Sequence, residues 1–261
     1  MAESLPAYAR RDSIVQLLQE RGSVTTAELV ERFGVTDTSI RHDLQLLDEI
    51  GKAHRVRGGA VDRWSDGGKR PGPARSRENW PAKKRIAMAV TRMVKAGEVV
   101  FLDSGSTVAR TAVAMGSAFN GPSAVTVVTH SFPVIEEVGT WNQPHLVCLG
   151  GLYLPDHRAA VGPVTLANLA DLTADVAVLG CDGLTVEGGL TTPHMLIAEV
   201  GATMAARARR VIVAADSSKL GRVGFTRIIA LDAVTSLVTD DGANLTLVEE
   251  VRSLGVEVVI A

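Results

Sequence analysis

In Gly34-Val35-Thr36-Asp37-Thr38-Ser39-Ile40-Arg41-His42-Asp43-Leu44-Gln45-Leu46-Leu47, the residues Ile40, Leu44 and Leu47 recur at the spacing of one helical face. Such a stripe predicts a helix docked on a small core, ending near Gly51. Its other face is polar from the start: Asp37, Thr38, Ser39, Arg41, His42 and Gln45, with Thr36 just ahead of it. A helix that enters the major groove of DNA needs this division, with its apolar stripe on its neighbours and donors and acceptors on its leading turns.

Working backward, Thr25-Thr26-Ala27-Glu28 predicts a capping box that opens a preceding helix, with Leu29, Val30 and Phe33 inward and Gly34 as its stop. A first helix is expected from about Arg10 to Glu20, with Ile14, Leu17 and Leu18 on one face and Gly22 after it. Working forward, Lys52-Ala53-His54-Arg55-Val56-Arg57-Gly58-Gly59-Ala60-Val61 predicts two short strands around a Gly-Gly turn. Three helices followed by an arginine-tipped hairpin describe a winged helix-turn-helix, with Arg55 and Arg57 able to reach phosphates or a narrow minor groove. Residues 1–63 form this expected DNA-binding domain.

Charge alone does not announce that function. The chain of 261 residues carries a net −2, and residues 1–54 hold more acidic than basic side chains. Positive charge gathers instead at Arg55, Arg57, Arg63, Lys69, Arg70, Arg75, Arg77, Lys83, Lys84 and Arg85, against Asp62, Asp66 and Glu78. Residues 64–83 are rich in Gly and Pro and lack apolar periodicity, which predicts a basic tether between domains.

From residue 84 onward the pattern alternates helices with apolar strands, the latter expected at 99–102, 125–128, 146–149, 175–179, 211–215, 237–239 and 256–260. Alternation of this kind predicts an α/β domain, residues 84–261, with a mostly parallel sheet covered on both faces. Ligands of such sheets gather at the carboxyl ends of the strands. There the chain places Asp103-Ser104-Gly105-Ser106-Thr107 ahead of a helix, Thr129-His130-Ser131, Gly150-Gly151, Cys181-Asp182-Gly183 and Asp216-Ser217-Ser218-Lys219. Hydroxyls, a tight Gly turn and free amides at a helix start suit a phosphate, and carboxylates suit a polyol.

Several classes are disfavoured. The start of the chain lacks the basic and apolar regions of a signal peptide. No apolar run approaches the roughly 20 residues of a membrane span. Cys148 and Cys181 are far apart, and the six histidines show no pair at helical ligand spacing, so neither a metal nor another cofactor is expected. A cytoplasmic protein is the expectation.

The chain resembles the DeoR-type bacterial transcription regulators over nearly its whole length. Val35 to Leu44, containing Arg41-His42-Asp43-Leu44, and Arg57-Gly58-Gly59-Ala60 match their DNA-binding region, with His42 in place of a second arginine and Arg57 in place of a histidine. Phe101 to Thr107, Val125 to Ser131, Leu149-Gly150-Gly151, Val161-Gly162-Pro163, Gly189-Leu190-Thr191-Thr192-Pro193 and Ala215 to Lys219 match their sensor domain. The resemblance implies a ribose-5-phosphate-isomerase-like fold and a phosphorylated sugar or related anionic metabolite as effector. It places Asp103, Ser104, Gly105, Ser106, Thr107 and Lys219 around the phosphate, and Thr129, Gly150, Asp182 and Glu199 near the polyol. A homodimer or homotetramer on double-stranded operator DNA, repressing carbohydrate-catabolism genes until effector binds, is the implied mode of action.

A sugar-phosphate isomerase with a DNA-binding appendage is the rival. Moving a proton between adjacent carbons needs a base and an enediolate stabiliser. The isomerases supply these from an Asp-Gly-Ala-Asp-Glu run and a Lys-Gly-Gly-Gly loop. Here Asp182-Gly183 continues as Leu184-Thr185-Val186, and Gly189-Leu190-Thr191-Thr192-Pro193 replaces the lysine loop. The expectation is therefore a sensor without catalysis.

Overall fold

The computed structural model describes residues 5–50, 52–62, 79–119 and 125–261. They fall into two compact units, divided between Pro81 and Ala82.

The first unit runs α1 (Ala7–Arg21), β1 (Ser23–Thr25), α2 (Thr26–Phe33), α3 (Asp37–Glu49), β2 (Ala53–Val56) and β3 (Gly59–Asp62). Thr25 and Glu28 form the expected capping box, the Thr25 hydroxyl accepting from the Glu28 amide and the Glu28 carboxylate from the Thr25 amide at 2.8 Å. Gly34 closes α2 in the left-handed conformation that only glycine adopts without strain. Ile14, Leu18, Leu29, Phe33, Ile40, Leu44 and Leu47 interlock as one core.

The hairpin differs from the expectation in two ways. Its turn is Arg57-Gly58, with Gly59 already in β3, and it gains a third strand because β3 also pairs with β1 in the order β1-β3-β2. That pairing explains the second glycine. A Cβ on Gly59 would stand 2.1 Å from the Val24 carbonyl oxygen. Arg57 consequently sits at the tip, exposed.

The tether expected at 64–83 lies outside the described residues up to Ser76, Arg77 and Glu78, and its last residues are not tether. The helix α4 begins at Trp80, just ahead of the division at Pro81 and Ala82, and runs to Met93, so it starts before residue 84, where the alternating pattern was expected to begin. Pro81 read as loop punctuation, yet proline in a first helical turn forgoes only an amide that has no helical partner.

After α4 come β4 (Val99–Leu102), α5 (Ser106–Ala118), β5 (Thr126–Thr129), α6 (Phe132–Val138), β6 (His145–Cys148), β7 (Leu152–Leu154), β8 (Ala159–Val161), α7 (Pro163–Leu169) and β9 (Ala174–Leu179). The chain continues through β10 (Gly183–Thr185), β11 (Gly189–Thr192), α8 (Met195–Ala206), β12 (Ala208–Ala214), a 3₁₀ turn at Ser217–Lys219, β13 (Thr226–Ile229), β14 (Ser236–Thr239), α9 (Leu245–Ser253) and β15 (Glu257–Ile260). Seven strands form one parallel sheet in the order β15-β14-β12-β9-β4-β5-β6. Their continuous apolar runs, such as Val176 to Leu179 and Val211 to Ala214, are buried on both faces.

The winding places the site. From β4 the chain builds outward through β5 to β6, then crosses back to lay β9 on the other side of β4 and continues to β15. The order reverses between β4 and β9, so a crevice opens at the carboxyl ends of those two strands. Beside it lies a small antiparallel sheet, β10-β11-β13, whose strands are not among those expected from the sequence.

Candidate functional site

On the first unit, α3 divides its polar residues sharply. Thr36 is the N-cap, its hydroxyl accepting from the Ser39 amide at 3.3 Å and meeting the Ser39 hydroxyl at 3.0 Å, so both residues serve the helix start. Thr38, Arg41, His42 and Gln45 are exposed. Arg41 pairs with Asp37 one turn earlier, and Gln45 donates to Glu49 at 3.0 Å. Solvent-exposed pairs of this kind are weak and open readily to a better partner such as a phosphate. Arg55 projects from β2 with its amide donating to Asp48 at 3.3 Å, which fixes the strand to α3.

Asp43 went unassigned in sequence reading and turns inward. It is 2% exposed and accepts from the Arg10 guanidinium at 2.6 Å, locking α1 to α3. The signal was present: Arg10 falls on the stripe of Ile14 and Leu17, and Asp43 on that of Ile40 and Leu47.

On the second unit, Gly105 caps α5 at φ 112° with no side-chain cap, leaving the amides of Ser106, Thr107 and Val108 without a side-chain partner. Gly180, after β9, comes so close that a Cβ there would stand 3.1 Å from the Ser104 carbonyl. The loops after β4 and β9 thus flank one crevice. Burial, then Asp182, push the Cys181 thiol up to about 12; Asp216 and Asp103 act the same way and Lys219 opposes them. Cys181 is a neutral thiol at physiological pH, and those charges converge around it. The Ser217–Lys219 turn that carries the lysine is pinned twice. Asp216 accepts from the Ser218 amide at 3.1 Å, and Asp240 from the Ser217 amide at 2.6 Å and hydroxyl at 2.8 Å. Asp182 accepts from the Thr192 hydroxyl at 2.9 Å and is otherwise exposed.

Three of the site residues are placed otherwise than the resemblance implied. Asp103 is 2% exposed and bound to His130, which is wholly buried, at 2.9 Å; it also accepts from the Gly180 amide at 3.4 Å. It braces the crevice, and a carboxylate would in any case repel phosphate. Thr129 is fully buried, donating to the Leu102 carbonyl at 2.6 Å and accepting from the Ser131 amide at 3.1 Å, so its hydroxyl is spent within the fold. Glu199 lies on the exposed stripe of α8 with Met195, about 200° around the helix from Gly201, whose position borders Asp103. Gly150 is exposed, its carbonyl accepting from the Thr165 hydroxyl at 2.9 Å.

Sequence reading set His157 and His194 aside as scattered. They meet edge to face, ring centroids 4.4 Å apart, on the turn between β7 and β8 and at the N-cap of α8. Burial and His194 hold the His157 imidazole below its ordinary value, against the pull of Asp182, Asp103 and Asp156. Among the described residues no cluster of three or more His, Cys, Asp or Glu could hold a metal ion, and no helix is long and apolar enough to cross a membrane.

A winged helix-turn-helix and a doubly wound domain with a polar crevice at its switch point, joined in one chain, define a ligand-responsive DNA-binding protein. Residues 10–63 match the DeoR-like helix-turn-helix domain and residues 78–241 the DeoR C terminal sensor domain, and the chain belongs to the DeoR family of transcription regulators. It is 31% identical to the HTH-type transcriptional regulator GlpR of Haloferax volcanii, over 98% of each chain. It is 29% identical to the putative aga operon transcriptional repressor of Escherichia coli O157:H7, over 96% of this chain and 93% of that one. The L-fucose operon activator of Escherichia coli K12 is also 29% identical, over 89% of this chain and 95% of that one. Among solved structures, ribose 5-phosphate isomerase A of Methanocaldococcus jannaschii is similar over 55% of each chain, with 21% identity and a TM-score of 0.42. The chain is a DNA-binding transcription regulator.

Proposed function

We propose that this regulator binds paired operator half-sites as a homodimer or homotetramer inside the cell, and that a phosphorylated sugar in the β4–β9 crevice lowers its affinity for DNA. Repression of carbohydrate-catabolism genes, relieved by the effector, is the mode of action this implies. What supports the reading is that Asp182 and Lys219 both act on Cys181 at the end of β9, while α5, after the adjacent strand β4, starts at Gly105 with no side-chain cap. Amides and an ammonium bind phosphate, while a carboxylate accepts from hydroxyls. Ser104, Gly105, Ser106, Thr107 and Lys219 then hold the phosphate, with Asp182 and the Gly150 loop toward the sugar. The two sites are coupled by a free energy that acts equally in both directions, typically about 1–3 kcal/mol.

The test is a thermal-shift titration with ribose 5-phosphate, fructose 6-phosphate and glycerol 3-phosphate, repeated on Lys219→Ala. At least one compound is expected to stabilise the second unit, and the variant to bind it about tenfold more weakly or worse, as loss of a charged hydrogen bond dictates. A Lys219→Ala protein that responds like the wild type would remove the lysine from the site.

The DNA face is tested through salt. Arg57→Ala is expected to weaken binding to a random-sequence duplex and to lower the slope of log affinity against log salt by about one. An unchanged slope would show that the wing tip touches no phosphate.

A further inference from the structure

We propose that His157 is a specificity-determining residue of the sensor, hydrogen-bonding a hydroxyl of the effector beside Asp182, and that the end of the effector lying there is uncharged. The inference deepens the sugar-phosphate reading above and rests on it.

The turn that carries His157 is built against local preference. Its next residue, Arg158, adopts φ 48°, a left-handed conformation that strains any residue bearing a Cβ. Such strain persists only where the surroundings over-determine it, and it concentrates at functional sites. Here the surroundings do so. The Arg158 carbonyl accepts from the Phe132 amide at 2.8 Å, and its guanidinium donates to Glu136 on α6 at 2.9 Å. Ala159 bridges to Ser131, and Ala160 exchanges bonds with His130, its amide donating to the His130 carbonyl at 2.8 Å and its carbonyl lying 2.7 Å from Nδ1. From the other side His157 is braced by His194, whose side chain, though at the N-cap of α8, makes no capping bond. The product of all these restraints is one half-buried imidazole held in place.

The charges around it specify what it can hold. His194 faces it from the start of α8, Asp182 from the loop after β9, Asp103 from the loop after β4, and Asp156 from its own turn. Its lowered pKa keeps the ring neutral near pH 7, with one donor and one acceptor nitrogen. A hydroxyl group, donor and acceptor at once, is the complement of that pair. Asp182 has one oxygen engaged by Thr192 and accepts a further hydroxyl proton with the other. A second phosphate or a carboxylate placed there would meet the negative field of Asp182, Asp103 and Asp156, the described charged groups that act on His157 beside its neighbour His194.

The full-length protein tests this by calorimetric titration with inorganic phosphate, ribose 5-phosphate, fructose 6-phosphate, 6-phosphogluconate and fructose 1,6-bisphosphate. The wild type is expected to prefer the sugar monophosphates over the last two by about tenfold or more. His157→Leu should lose about tenfold in sugar-phosphate affinity while inorganic phosphate changes by less than about twofold, and His157→Gln should recover part of the loss. Equal weakening of every probe the wild type binds, or no weakening in either variant, would overturn the role of His157. Wild-type binding of 6-phosphogluconate or the bisphosphate as tight as that of the monophosphates would overturn the uncharged end. Failure of the wild type to bind any sugar phosphate would instead remove the sugar-phosphate reading itself, and this inference with it.

Discussion

Asp43→Ala is expected to cost the N-terminal unit roughly 3–5 kcal/mol, the usual effect of deleting one partner of a buried ion pair. The Arg10 side chain is 10% exposed and that of Asp43 2%, with 2.6 Å between nitrogen and oxygen. Without the carboxylate, the guanidinium keeps only a 3.3 Å bond to the Leu5 carbonyl in surroundings too dry to solvate it. A unit this small holds only about 5 kcal/mol in total, so the loss approaches unfolding. Hydrogen exchange on the full-length protein should show α1, α2 and α3 losing protection while the parallel sheet keeps its own, and DNA binding should vanish although Asp43 touches no DNA. Arg10→Met combined with Asp43→Leu should recover much of the stability, because apolar residues of similar size replace a buried pair at little net cost. A loss below about 1 kcal/mol for Asp43→Ala would mean that the pair behaves as a surface ion pair, and the lock between α1 and α3 would be refuted.

That residue also marks the limit of what local pattern reveals. The three helices, the stops at Gly22 and Gly34 and the capping box were legible because each is written within a few neighbouring residues: Thr25 with Glu28, Gly34 after Phe33, and Ile40, Leu44 and Leu47 on one face; the stop expected at Gly51 lies outside the described residues. The parallel strands were legible because strands covered on both faces are apolar throughout. By contrast, Ser23-Val24-Thr25 becomes a strand only when β3 returns to pair with it. Gly183 to Thr185 and Gly189 to Thr192 are too rich in glycine and threonine to announce strands, and they become so by pairing with each other and with Thr226 to Ile229. In the crevice, the rule that function follows strand ends points to Gly105, Asp182 and Lys219, the residues on which the proposed effector site is built. It overreached at Thr129, because the rule does not say whether a hydroxyl is already used by the backbone. It could not find His157 and His194, which meet only through the folding of the turn between β7 and β8 against the start of α8.

His130→Ala separates the two roles open to Asp103, architecture or ligand contact, and carries the second large expected effect. His130 Nδ1 stands 2.7 Å from the Ala160 carbonyl, an acceptor only, so Nδ1 carries a hydrogen. Nε2 stands 2.9 Å from Asp103 Oδ1. Removing the ring strips both partners, opens a cavity at a fully buried position, and leaves Asp103 with a single 3.4 Å bond from Gly180. The sensor unit should lose about 3–5 kcal/mol, measured by denaturant unfolding. What remains folded should bind sugar phosphate more weakly, because an unpaired carboxylate then stands two residues before the cap of α5, where the phosphate is expected. Asp103→Asn supplies the contrast: its amide can still bond to His130 and bears no charge, so it should cost clearly less stability and leave effector affinity near that of the wild type. The opposite ordering, with Asp103→Asn abolishing effector binding at no cost in stability, would return Asp103 to the ligand and make its bond with His130 incidental.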